Sequence, residues 1–342
     1  MDRPIPPGLD VELEWPDSGW AALRSRRNAN GGGLDRNGAA PDRNGAAPDR
    51  NGAGPVANGA GPVANGADRV ATPVLRLTRR PEPLRRWLGS LWRHRGVLLE
   101  LSKKDFRVRY KRASLGALWA GAVPVLQAAV MAFVFSRVGK FGNGSYSYAV
   151  YVLAGMAAWA YASMAITAST TSIVEAATLT DKVWFPRAVL ALVPVISNLV
   201  TLAISVAVVI VAVPLFGEPI TPRLLLLVPA AALVVAFSAA LGLVLSALDV
   251  YFRDVKFMVQ AAVLVWFYVT PIIYPPTVLG GAHRWLAFNP MTGVVGLFQR
   301  AAVGAPVPSP TALIASVVAT LVLLVVGVAI HRRHDRLFVD QL

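Results

Sequence analysis

Between residues 113 and 330 the chain runs repeatedly for two dozen residues or more without a single Asp, Glu, Lys or Arg. The unbroken stretches are 113–136, 141–174, 188–217, 257–283 and 301–330, and 224–250 is interrupted only by Asp249 near its end. A hydrocarbon layer about 30 Å thick takes about 20 apolar residues as a helix. A buried helix of a soluble domain is shorter and keeps a polar face. The stretches therefore predict six transmembrane helices, at roughly 115–136, 149–172, 189–214, 224–247, 257–275 and 311–330. The chain reads as an all-α integral membrane protein.

The charge supports this once its position is considered. Lys and Arg number 33 against 19 Asp and Glu, a formal charge of +14, yet only 15% of residues are charged. An average soluble domain has about 25%. Such basicity would suit a nucleic-acid binder, but the cations lie where a membrane protein needs them. Thirteen Lys and Arg fall within 76–112, and alternate loops add Lys182, Arg187, Arg253 and Lys256. The segment after the last span adds Arg332, Arg333 and Arg336, whereas the opposite side has only Arg137, Lys140, Arg223, Arg284 and Arg300. Cytoplasmic loops carry the excess of Lys and Arg, so both termini are expected in the cytoplasm, in a multi-pass protein of the cytoplasmic membrane. No nucleic acid is needed to explain the charge.

The chain divides into four regions. Residues 1–75 contain a seven-residue repeat from Asp35 onward (DRNGAAP twice, then DRNGAGP, VANGAGP and VANGADR). Asn-Gly and Pro recur in it but no pair of apolar positions does, so it is no coiled coil. It is expected to be a disordered cytoplasmic tail, either a dispensable linker or a partner-binding segment. Residues 76–112 form a basic amphipathic region. Leu84, Trp87, Leu88, Leu91, Leu98 and Leu101 recur at helical spacing between arginines, as in a helix lying in the membrane interface; ordinary positive-inside flanking is the plainer reading. Residues 113–331 are the membrane domain and 332–342 a cytoplasmic C-terminal tail.

The spans lack chemistry. Ion-coupled carriers hold their ion or proton on ionisable groups inside the membrane, and these spans have none until their ends. There is no cysteine, and His94, His283, His331 and His334 lie outside the predicted spans. No catalytic residue, no metal ligand and no cofactor on this chain is expected. A membrane-embedded glycosyl- or acyltransferase would have to draw its acid or base from Asp249, Asp254, His283 or Glu175. Transport would need energy from another subunit.

Four segments in order resemble one family. Arg109-Tyr110-Lys111-Arg112-Ala113-Ser114-Leu115-Gly116, with Leu118-Trp119 and Pro124, is similar to the approach to the first span in ABC exporter permeases for cell-surface polysaccharides (O-antigen, teichoic acid, actinobacterial galactan). Leu179–Arg187 (LTDKVWFPR) resembles that family's first cytoplasmic loop, and Tyr251-Phe252-Arg253-Asp254-Val255 its second. Thr270-Pro271-Ile272-Ile273-Tyr274-Pro275 and Asn289-Pro290 resemble the end of span five and the segment after it. Lys103-Lys104-Asp105 departs slightly from the family's more usual Arg-Asp pair, and the repeat tail is not a family feature.

The resemblance implies a homodimer, two copies of a separate ABC ATPase subunit that holds ATP and Mg, and a lipid-linked glycan as cargo. It gives roles to particular residues. Glu175, Asp181, Lys182, Trp184, Phe185 and Arg187 suit a coupling helix with aromatic anchors and a charged rim, or an interfacial loop with Trp at headgroup depth. Arg253 and Asp254 suit an ATPase contact, a local salt bridge closing the turn, or both. Arg107, Arg109, Lys111 and Arg112 would form a collar for the lipid diphosphate. Trp159, Tyr161, Trp266 and Tyr268 would line a glycan channel, although a membrane-interface belt accounts for neighbouring tyrosines. Residues 276–310, broken by Pro and Gly, would form re-entrant helices between spans five and six, with Met291–Val303 as a half-helix, or a surface loop. A drug or lipid efflux permease of the same architecture is the nearest alternative. The Ala-, Val- and Arg-rich usage favours galactan.

Overall fold

A computed structural model describes residues 83–111, 116–138, 146–176, 185–276, 278 and 283–334. The repeat tail, Arg112, Asp181, Lys182, Trp184 and residues 335–342 lie outside the described residues. Every regular element among the described residues is helical. In chain order these are α1 (Leu84–Arg93), α2 (Arg95–Tyr110), α3 (Trp119–Val138), α4 (Tyr148–Glu175), α5 (Ala188–Ser197), α6 (Leu199–Leu215), α7 (Leu227–Tyr251), α8 (Val255–Val269), α9 (His283–Leu286), α10 (Pro290–Val303) and α11 (Pro310–His334).

Four helical segments are long and apolar enough to cross a membrane: α4, α5 with α6, Pro222–Tyr251 including α7, and Pro310–Arg333 of α11. The other two expected spans correspond to the shorter apolar helices α3 and α8. The chain is a multi-pass membrane protein. Its last span reaches further than the sequence indicates, so His331 is buried inside α11, with Nε2 3.0 Å from the Leu243 carbonyl oxygen.

Helix α4 is the centre of the bundle, packed against α3, α5, α6, α7, α8 and α10. Its buried face is rich in small residues: Ala154, Gly155, Ala157, Ala158, Ala162 and Ala165. Such residues let neighbouring backbones approach, which drives helix association where lipid removes the hydrophobic incentive. At the α4–α7 crossing, a Cβ on Gly242 would stand 2.8 Å from Ser169 Cβ. A Cβ on Gly293 of α10 would stand 2.6 Å from the Ala312 carbonyl oxygen of α11. Both sites accept only glycine without a shift in the partner helix.

Helices α1 and α2 are two pieces, not one. The break is at His94, with φ −89° and ψ 12°. Trp87, Leu91, Leu98 and Leu101, expected to face lipid, instead pack on the bundle against α5 and α7 residues such as Ala188, Leu190, Leu243 and Val250. Leu84, Leu88 and Trp92 stay exposed. The apolar stripe is wider than the face the bundle covers.

Candidate functional site

A cavity of ≈ 1110 Å³ opens where α2 lies across the bundle. Leu101, Lys104, Asp105, Val108 and Arg109 of α2 form one wall, and Leu190, Val193 and Pro194 of α5 another. The third wall is α4, which contributes Ser163, Thr167, Thr171, Ser172 and Glu175; Gln260 of α8 closes the set. Hydroxyls at 163, 167 and 171 recur at i, i+4, i+8, so they form one stripe along the helix. The volume lies just above the range of small-ligand pockets, about 300–1,000 Å³.

The rim of this cavity is pinned by a polar network across a helix break. Pro194 cannot donate to the helical ladder, and the span interrupts at Asn198 between α5 and α6. Asn198 is only 1% exposed, and its Nδ2 donates to the Pro194 carbonyl at 2.7 Å. Its Oδ1 accepts from Arg109 Nη1 at 2.6 Å, while Arg109 Nη2 pairs with Asp105 Oδ2 at 3.0 Å. Ser197 Oγ donates to the same Asp105 oxygen at 2.5 Å, and Ser102 Oγ donates to the Val193 carbonyl at 3.3 Å. Arg107, Arg109 and Lys111 of the proposed collar are all exposed, and Arg109 is in addition held by Asp105 and Asn198. On the outer face of α2, Glu100 is fully exposed; a hydrogen bond from Lys103 lowers its pKa.

The opposite end of α4 meets a different polar assembly. The backbone between α8 and α9 is irregular at 270–275, so its carbonyls have no helical partners. Gln299 Nε2 donates to the Pro271 and Ile272 carbonyls at 3.2 Å each. The Ile273 carbonyl accepts from Tyr148 OH at 2.5 Å, and the Tyr274 carbonyl from Tyr151 OH at 3.4 Å. Asn289 joins the ends: Oδ1 accepts from Trp266 Nε1 at 2.8 Å and from the Met291 N–H at 3.0 Å, and Nδ2 donates to Thr270 Oγ1 at 3.0 Å. The 270–275 and 289–290 motifs are therefore two halves of one knot.

The aromatic residues assigned to a channel are distributed unevenly. Trp159 packs edge-to-face on Trp266, centroids 5.9 Å apart, and against Phe267. Tyr161 is completely buried, with its OH donating to the Val195 carbonyl at 3.0 Å. Tyr268 is 59% exposed on α8. The structure brings Trp159 and Trp266 together within the core and leaves Tyr268 on the surface.

The loop residues also divide. Phe185 is buried among Ile173, Val189, Leu190, Ala247 and Val250, and Arg187 is buried at the start of α5. Glu175 is exposed at the end of α4. Arg253 and Asp254 are exposed in the α7–α8 turn, and no ion pair joins them among the described residues. Asp249 closes that turn instead, its Oδ1 accepting from the Lys256 backbone N–H at 3.2 Å. Phe252, Phe257 and Met258 stand exposed beside it.

A model of the ABC-2 type transporter family matches residues 97–302, more than half of the chain. The chain belongs to that family. It is similar to an O-antigen export system permease protein RfbA from Myxococcus xanthus, 27% identical over 242 residues, 70% of this chain and 92% of that protein. It is also similar to two proteins of the same name from Klebsiella pneumoniae, 29% identical over 203 residues and 27% over 201, in each case 58% of this chain and 77% of that protein. The matched segment of this ABC-2 transporter holds the cavity, the Arg109 network and the knot.

Sequence reasoning passed over Ser163, Thr167, Thr171 and Gln260, because it searched the spans for charge. The signal was present as three hydroxyls four residues apart, and as one amide in an otherwise apolar span. The knot was legible only as separate motifs, since 125 positions separate Tyr148 from Ile273.

Proposed function

We propose that this chain is the transmembrane subunit of an ATP-driven exporter that moves a lipid-linked cell-surface polysaccharide, of O-antigen, teichoic-acid or galactan type, across the cytoplasmic membrane. The observation that carries this reading is the likeness, over 92% of its length, to an O-antigen export permease. In this reading α3 and α8 are also spans, both termini are cytoplasmic, and α9 and α10 re-enter the membrane from outside. The 14 residues of α10 reach about 21 Å, less than a bilayer core, and its burial suits a segment covered by protein on all sides.

The working unit is a homodimer on two ATPase chains, which hold ATP and Mg. Val259 is the one buried residue of α8, so a second copy has a largely uncovered helix to meet. The cavity beneath α2 is on the cytoplasmic side and receives the cargo. Arg107 and Lys111 attract the diphosphate, and Arg109, oriented by Asp105 and Asn198, presents its remaining N–H groups to phosphate oxygens. Glu175, Phe185, Arg187, Arg253 and Asp254, with Asp181, Lys182 and Trp184, mark the two loops that transmit ATPase closure.

Depletion of the protein in cells with radiolabelled sugar tests the reading. Surface polymer falls and lipid-linked polymer accumulates inside. Unchanged surface polymer without internal accumulation would exclude it.

A further inference from the structure

The cavity walls contain hydrogen-bonding groups that the protein itself does not use. Thr170, on the face of α4 turned away from the cavity, donates to the Ile166 carbonyl at 2.9 Å, and Thr320 of α11 donates to the Ser316 carbonyl at 2.7 Å. This back-bonding is one way hydroxyls settle inside apolar helices. Ser163 and Ser172 of the cavity wall use it too, toward the Ala160 and Ser169 carbonyls, whereas the buried Ser169 and Thr201 hydroxyls have no partner among the described residues. Thr167 and Thr171 share the helix with Thr170 and line the cavity, yet neither forms such a bond among the described residues. Gln260 of α8 and Lys104 of α2 line the same cavity and likewise have no side-chain partner among the described residues. The facing wall is aliphatic: Leu101, Val108, Leu190 and Val193.

From this arrangement we infer that the cavity is a saccharide site, with Thr167, Thr171 and Gln260 as its hydrogen-bonding side and the α2–α5 wall as its apolar side. A pyranose has equatorial hydroxyls around its edge and C–H groups on its faces. A hydroxyl donates and accepts at once, and an amide does both from two atoms, so this wall tolerates many hydroxyl patterns and suits a chain that slides. A prenyl tail would leave the same groups unpaired, at a cost for each. The inference rests on the proposed export function and places the glycan's first contact on the α4 stripe. The Trp159–Trp266 pair lies inside the core instead.

The test uses the permease expressed with its ATPase in cells lacking the native copy. Thr167→Val with Thr171→Val removes both hydroxyls at nearly constant volume. Export per permease in the membrane is expected to fall roughly thirtyfold, as for two lost hydrogen bonds of ordinary net strength. Gln260→Leu, at an exposed position on α8, should lower export independently of any effect inside the bundle. Thr201→Val, a buried hydroxyl on α6 outside the cavity, should leave export unchanged. Thr171→Trp should block it. Normal export by both the double variant and Gln260→Leu overturns the assignment. A block by Thr171→Trp with indifference to the valines gives the cavity to the prenyl tail and also overturns it. Depletion without any loss of surface glycan would remove the export function itself. Depletion that stops export, with hydroxyl-free variants still exporting, removes only the saccharide site.

Discussion

The two ends of α4 hold polar groups under opposite conditions. At the Tyr148 end, the irregular backbone of 270–275 presents four carbonyls, and Gln299, Tyr148 and Tyr151 supply a donor to each. At the Glu175 end, Thr167, Thr171, Gln260 and Lys104 face a cavity with no partner among the described residues. The first arrangement is what a membrane demands of broken backbone, since an unpaired group in a dry interior costs about 1–3 kcal/mol. The second is acceptable only where water or a ligand fills the space. Polarity at the two ends of α4 thus has two meanings, although Ser163 and Ser172 of the cavity wall bond to α4 carbonyls. The buried Ser169, Thr201, Ser205 and Ser238 hydroxyls of the core also have no partner among the described residues. The knot is architecture, and Thr167 and Thr171 of the stripe are left open to the cavity.

Breaking the knot should produce the largest change in stability. Asn289→Ala leaves Trp266 Nε1, the Met291 N–H and Thr270 Oγ1 without that partner. A loss of about 3 kcal/mol is expected, at roughly 1 kcal/mol for each, read as a lower thermal midpoint of the detergent-solubilised protein. An unchanged midpoint would mean that helix packing alone fixes the 270–290 segment.

The matched rim of the cavity should give an intermediate effect. Asp105→Asn removes the ion pair with Arg109 but keeps an acceptor for Ser197. The pair is about a third exposed, so a loss of about 0.5–1 kcal/mol is expected. Amide exchange should quicken within α2 while α10 stays protected, and equal change in both helices would contradict a local role.

The smallest effect belongs to the exposed face of α2. Lys103 lowers the Glu100 pKa, so any stability from the pair is present above the unfolded-state value and fades as pH falls through the folded one. The group is fully exposed, however, and solvent screens the pair. Glu100→Gln should therefore leave the thermal midpoint unchanged, both at neutral pH and at about pH 4.

The order of the helices was readable without coordinates, because a bilayer imposes length and apolarity on each span separately. A helix does run over Pro290–Val303, as α10, since Asn at the cap and Pro at the first position are local start signals. The packing of Trp87, Leu91, Leu98 and Leu101 on the bundle was not readable, because a wide apolar stripe fits lipid and protein equally. Nor was the burial of Tyr161, whose partner is a carbonyl 34 residues away.

What the sequence determined by itself is therefore the membrane class, the helix order and the family-like motifs, each a property of a short window. Which polar groups are spent inside the protein and which remain open was decided by tertiary structure alone. Thr167 and Thr170 lie three residues apart in one helix and look alike in sequence. One lines a cavity and the other is bonded inside the bundle, and a cavity exists only after α2, α4, α5 and α8 have packed.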